Sequence, residues 1–226
     1  MNGECGRRSV SVSLRVWGER ACFTRPEMKV ERVSYDVMTP SAARGVLEAV
    51  LWKPQMRWII ERIDVLKPVR RASIRRNEVG QKASVDNLLS AMAGRSARLG
   101  IDIEEARQQR AAVILRDVDY LVHARVGLTE RAGSDDPVGK YVEMFRRRAA
   151  AGQCFHRPYL GTREFAAEIS LVEADPPERI ADTRDLGWML YDIDFSGARP
   201  MPLFFEARLV AGSLAVPDPI SPELRR

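Results

Sequence analysis

Apolar and polar residues alternate through "SVSLRVW" at residues 11–17, the period of a half-buried strand, which points Val12, Leu14 and Val16 toward a core. A charged excursion broken by Pro26 follows. In "TPSAARGVLEAVLWKP" the period becomes helical. Thr39 stands as N-cap, Pro40 takes the first helical position, Val46, Leu47, Val50 and Leu51 form one stripe, and Pro54 sets the limit. "RWIIERIDVL" reads as a second strand, stopped at Lys67 and Pro68. Residues 84–107 are small, polar and interrupted by glycine, the composition of a mobile insertion with at most short helices. A strand over 118–128 comes next, preceded by an extended piece at 113–115.

"PVGKYVEMFRRRAAAG" predicts a second helix over 137–151, stopped by Gly152. At 100° per residue Val138, Val142, Phe145 and Ala149 share one face, Lys140, Glu143 and Arg147 lie opposite, and Tyr141 sits at the border. "EFAAEISLVEA" supplies a further strand, and "DPPE" at 175–178 is a linker. Past it, "GWMLYDIDF" and "LFFEARLVAGSLAVP" predict three short strands with a turn at Gly212 and Ser213. The expected architecture is α+β: a ferredoxin-like (RRM-like) β-α-β-β-α-β domain over 1–174, then a small antiparallel β-sheet domain over 175–226.

Composition narrows the chemistry. The 226 residues suffice for a sizeable core, and no apolar run approaches the ~18–20 residues that span a bilayer, so a cytoplasmic protein without membrane attachment is expected. Cys5, Cys22 and Cys154 are odd in number and lack a Cys-x-x-Cys spacing, so they read as reduced thiols. With His123 and His156 as the only histidines, a zinc site would need distant carboxylates, and no metal or cofactor is expected. The Asp117/Asp119 and Asp192/Asp194 pairs alternate along strands and read as solvated faces, not as a two-metal site.

The net charge of +5 is concentrated. Arg70, Arg71, Arg75 and Arg76 fall within ten residues, and Arg146, Arg147 and Arg148 are consecutive. Two such clusters flanking Lys140 suit the phosphate backbone of a nucleic acid. Trp17, Trp52, Trp58, Tyr120 and Trp188 could stack bases or fill the core. The stretch "AGSDDPVGKY" resembles a nucleotide-binding loop, but five residues separate Gly133 from Gly139 where four are required, and Tyr141 stands where the magnesium-binding hydroxyl belongs. Lys140 therefore needs another explanation.

Several segments together resemble a known family. "RVWGERACFTRPEMKVERVSYDVMTPSAARGVLEAVLWKP", "IRRNEV", "RQQRAAVILRDVDYLVHA", "YLGTREF" and "DLGWMLYDIDF" are similar, in order and across residues 14–217, to the D variant of the type I-C CRISPR-associated Cas-five proteins of the RAMP superfamily. The resemblance implies a metal-independent endoribonuclease that cleaves CRISPR repeat RNA and retains the crRNA 5′ handle beside the backbone and large subunits of the interference complex. It also implies three site positions, which fall here on Leu51, Lys140 and Tyr141. Relatives carry tyrosine at the first and histidine at the third. On this reading Lys140 and Tyr141 are the catalytic candidates, with Tyr35 and His156 behind them. Arg44, Arg70, Arg71, Arg75, Arg76, Arg147 and Arg163 are the candidates for RNA contacts, and such charge also suits nonspecific duplex DNA. A non-catalytic subunit that binds the 5′ handle is the alternative.

Overall fold

The computed structural model describes residues 11–95 and 99–225, so Cys5 lies outside the described residues. The elements in chain order are β1 (Ser11–Ala21), β2 (Arg32–Val33), α1 (Pro40–Val50), β3 (Met56–Val65), β4 (Arg71–Val79), α2 (Val85–Met92), α3 (Ile103–Ala106), β5 (Arg107–Leu128), α4 (Val138–Ala150), β6 (Glu168–Val172), β7 (Arg184–Asp194), β8 (Met201–Val210) and β9 (Ser213–Ala215). All nine strands belong to one sheet with the path β6-β1-β5-β3-β9-β8-β7, and every pairing is antiparallel except the short one between β2 and β5. The fold is thus mixed α/β with a mostly antiparallel sheet and few helices.

The alternation in β1 sends Val12, Leu14 and Val16 into the core, where α1 and α4 cover the sheet. Thr39 accepts a hydrogen bond from the Ala42 amide at 3.3 Å and Pro40 opens α1, so one orphan donor is satisfied and the missing N–H costs nothing. In α4 the buried face is Tyr141, Val142, Phe145 and Ala149. Phe145 packs edge-on against Trp58 with ring centroids 4.7 Å apart. Gly152 ends the helix at φ +63°, a conformation that suits a residue without Cβ.

Three features depart from the expectations. The extended piece at 113–115 and the strand over 118–128 are one strand of 22 residues. The basic stretch after Pro68 is a strand too: β4 pairs with residues 107–115 of β5, and the two form a hairpin arm whose tip is the insertion carrying α2 and α3. The inner face of β4 buries only Ala72 and Ile74 in part, against Ala112 and Ile114 of β5, and toward the tip it is closed by ions, with Arg32, Arg76 and Arg110 around Glu78 and Glu164. That polar face hid the strand pattern. Finally, Asp117 and Asp119 do not share a solvated face. Asp117 sits at φ 54° at the one position between Ser11 and Ala21 where β1 and β5, in constant register, form no partner pair, and is held by Lys67 and Arg70, whereas Asp119 is buried against Arg15 through two hydrogen bonds of 3.0 and 2.7 Å.

The C-terminal strands continue the sheet through β9, which pairs with residues 62–64 of β3. Met189, Phe205, Ala207, Leu209 and Leu214 join the main core. Gly212 turns the chain at φ +76°, where a Cβ would lie 2.1 Å from the Ile180 carbonyl oxygen. Among the described residues no helix is long and apolar enough to cross a membrane.

Candidate functional site

The loop before α4 folds around one carboxylate. Asp136 accepts hydrogen bonds from the Gly133 amide at 3.1 Å, from Lys140 Nζ at 3.0 Å and from the Tyr141 hydroxyl at 2.6 Å. Lys140 also donates to the Asp135 carbonyl at 3.3 Å. This follows from helical spacing, since a residue just ahead of a helix reaches side chains four and five positions on. The acids of "AGSDDPVGKY" therefore serve as acceptors for the loop's own donors. Three donors hold Asp136 down to about 2, the Tyr141 hydroxyl foremost. The same bond, with burial behind it, pushes the Tyr141 phenol up to about 12.

The two residues differ in access. Lys140 keeps 45% of its side chain exposed and offers its ammonium to solvent above the Tyr141 ring, 5.7 Å from the centroid. Tyr141 is buried, with its hydroxyl on Asp136 and not in water. A phenol raised in this way keeps its proton at neutral pH, so it can donate but is unsuited to act as a base.

Leu51, the third position, is 4% exposed at the end of α1. The carbonyls around it are fully used: Leu51 O accepts from Trp58 Nε1 at 2.9 Å, Val50 O from Arg148 Nε at 2.7 Å, and Ala49 O from the Phe155 amide at 2.7 Å. This carboxyl end of α1 is thereby tied to β3, α4 and the loop after α4. Tyr35 is buried and its hydroxyl accepts the Leu190 amide, so burial raises its phenol. His156 is exposed and donates from Nδ1 to the Arg157 carbonyl at 3.2 Å.

The basic candidates divide into two groups. Arg44 is paired with Asp192 and Glu48, Arg70 with Asp117, Arg71 with Asp36, and Arg76 with Glu78 and Glu164. Arg75, Arg147 and Arg163 are exposed and make no ion pair among the described residues. Of these candidates, the three have charge to offer. Trp58 and Tyr120 are core residues, whereas Trp52 and Trp188 are about half exposed. Asp192 belongs to Arg44, and among the described residues no cluster of His, Cys, Asp or Glu is arranged for a metal ion.

Sequence reasoning missed Asp136, whose signal was its spacing to Lys140. It also missed a polar network on the sheet face opposite the helices. There His123 lies with Nδ1 3.0 Å from Ser13 Oγ and Nε2 2.9 Å from Asp64 Oδ2, and Ser213 donates to Asp64 at 2.6 Å. The residues come from four strands, so no local pattern announces them.

Comparison with known proteins agrees with this picture. The family model described as CRISPR-associated protein, Cas5d type, matches residues 11–217. A protein of Mannheimia succiniciproducens named CRISPR pre-crRNA endoribonuclease Cas5d is 50% identical over 222 residues, covering 95% of this chain and 98% of that relative. A protein of the same name from Thermus thermophilus is 43% identical over 233 residues, covering 95% of each. Among solved structures, a CRISPR-associated protein superposes with a TM-score of 0.68 at 20% identity, covering 96% of this chain and 97% of the other. A functionally uncharacterized protein from Streptococcus mutans gives 0.66 at 20% identity, over 96% and 98%. At such identity the two structures speak to the fold alone. The chain belongs to the Cas5d family of CRISPR-associated proteins.

Proposed function

We propose that this chain is a metal-independent endoribonuclease that cleaves CRISPR repeat RNA and keeps the 5′ handle of the product within a type I-C interference complex. The relatives are named pre-crRNA endoribonucleases, and the observation that carries that activity to this chain is the Lys140 side chain, 45% exposed and oriented by Asp136 at the opening of α4. The platform is a ferredoxin-like domain over residues 1–174, supported by the order β6-β1-β5-β3 with α1 and α4 on one face, followed by a small β unit over 175–226.

Cleavage without metal uses the ribose 2′-OH. Its oxygen forms a bond to the adjacent phosphorus, the bond to the 5′ oxygen breaks, and the products are a 2′,3′-cyclic phosphate and a 5′-hydroxyl. One proton leaves the 2′-OH and one reaches the departing oxygen. Lys140 stabilises the negative charge that builds on the phosphorane, and Tyr141, protonated at every working pH, contributes as a donor. Arg75, Arg147 and Arg163 supply backbone contacts, and partner subunits and nonspecific duplex DNA use the remaining basic surface.

Incubating the protein with its cognate repeat RNA in EDTA tests the reading. Wild type is expected to cut, and Lys140→Ala to lose roughly 10²–10³ in rate, as when one charge-stabilising donor is removed. Full-rate cleavage by that variant rejects Lys140. A second reading, a subunit that only holds the 5′ handle, is favoured by the buried Leu51 and by the Tyr141 proton committed to Asp136. Wild type that binds the repeat with steep salt dependence but leaves it intact establishes it instead.

A further inference from the structure

After α4 the chain runs along α1 and carries three rings in sequence. Phe155 is 89% exposed, the largest exposure of any big apolar side chain among the described residues. Its ring meets His156 edge-on at 6.2 Å, and the His156 ring lies nearly parallel to that of Tyr159 at 6.1 Å and 27°. This is no slack loop. The Phe155 amide is bonded to the Ala49 carbonyl of α1, the Gln153 amide to the Arg148 carbonyl of α4, and Leu160 exchanges backbone bonds with Cys22 and Phe165. Gly161 holds the turn at φ +85°, where a Cβ would lie 2.1 Å from the Cys22 carbonyl oxygen. The rings are presented by fixed backbone.

Behind Tyr159 opens a cavity of about 270 Å³, lined by Phe23, Thr24, Thr39, Ser41, Gly45 and Tyr159 among others. It is smaller than the ~300–1,000 Å³ of a drug-sized ligand site, which suits one planar group better than a whole cofactor. Its walls combine the rings of Phe23 and Tyr159 with the hydroxyls of Thr24, Thr39 and Ser41, the means by which an unstacked base is held and its edge read. The Tyr159 hydroxyl has no hydrogen-bond partner among the described residues, and a Cβ on Gly45 would meet nothing within 4 Å, so this wall is open. In chain order, unpaired and exposed Arg147 precedes the rings and unpaired and exposed Arg163 follows them, two residues past Gly161 of the cavity wall.

We propose that this path is a single-stranded RNA stacking site, with bases stacked on Phe155 and His156 and one base lodged in the cavity between Tyr159 and α1. The inference rests on the RNA-processing reading above and adds the residues that select unpaired nucleotides. Exposed rings flanked by arginines fit unstacked bases and a phosphate backbone together, a pairing that a purely apolar protein partner would not need.

Repeat RNAs carrying a single 2-aminopurine at successive unpaired positions test it with the full-length protein. Wild type should quench the probe at one or two positions. Phe155→Ala should abolish part of that quenching and weaken binding about tenfold, within the ~5–150-fold seen for loss of one stacked base. Gly45→Leu, which fills the cavity from an open helical position, should release only the lodged base. An abasic nucleotide at that position should weaken wild-type binding by the same factor and leave Gly45→Leu no weaker still. This RNA-side change holds even if a variant folds poorly. Repeat RNA bound with unchanged quenching and affinity by both variants would overturn the stacking site and leave the RNA-processing reading standing. No binding by wild type would overturn both.

Discussion

At the scale of single residues, Asp136 decides what its neighbours can do. Removing its charge in Asp136→Asn should let the Tyr141 phenol fall from about 12 toward the ordinary ~10. A difference titration of tyrosinate absorbance against Tyr141→Phe reads that shift directly, and an unchanged titration would deny the hydrogen bond its role. The sign for stability follows from the direction. A carboxylate held near 2 when folded contributes stability that is present above its unfolded value near pH ~4 and is lost as pH falls toward 2. Acid unfolding monitored by circular dichroism should therefore begin at a higher pH when the Asp136 acceptor is kept but Tyr141 is replaced by phenylalanine. Lys140 was legible through its place in "VGKY" and a family resemblance. Asp136 was not, because a carboxylate four residues before a lysine is ordinary until the loop is seen closing on it.

At the scale of elements, much was readable where local chemistry alone decides. Thr39 and Pro40 mark the start of α1, and Gly152 the end of α4, because caps are short-range events. β4 was read as a basic cluster because its inner face pairs ions where a core strand would bury methyl groups, so hydrophobic alternation carried little signal. The union of two predicted segments in β5 depends on partners far along the chain, β1 and β4, that no local window contains. Two substitutions check the packing that results. Phe145→Ala, which strips the ring set against Trp58, should cost about 3–5 kcal/mol in urea denaturation. Gly161→Ala should cost at least roughly 1–3 kcal/mol, since the added methyl meets the Cys22 carbonyl and the residue is held at positive φ.

At the scale of the whole molecule, the sheet face away from the helices ties the C-terminal strands to the rest. Asp64 receives Ser213 from β9 and His123 from β5, with Arg62 alongside, and despite burial its pKa is lowered by these partners. Asp64→Ala should speed amide hydrogen exchange in β7–β9 more than in β1 and β5, and equal protection across the sheet would count against that tie. The other end of the molecule is governed by β5. Twenty-two residues at ~3.3 Å each make a strand of roughly 70 Å, running from the insertion at the arm's tip to within ten residues of α4. Its only positive-φ residue is Asp117, which has no partner in β1 although the register is the same on either side. In mechanical terms the arm is a cantilever whose root is an interior strand of the sheet, between β1 and β3. A pull on the tip is carried along covalent bonds past Asp117 toward the loop that sets Lys140, with Lys67 and Arg70 bonded to the residue where the backbone of the beam turns to positive φ.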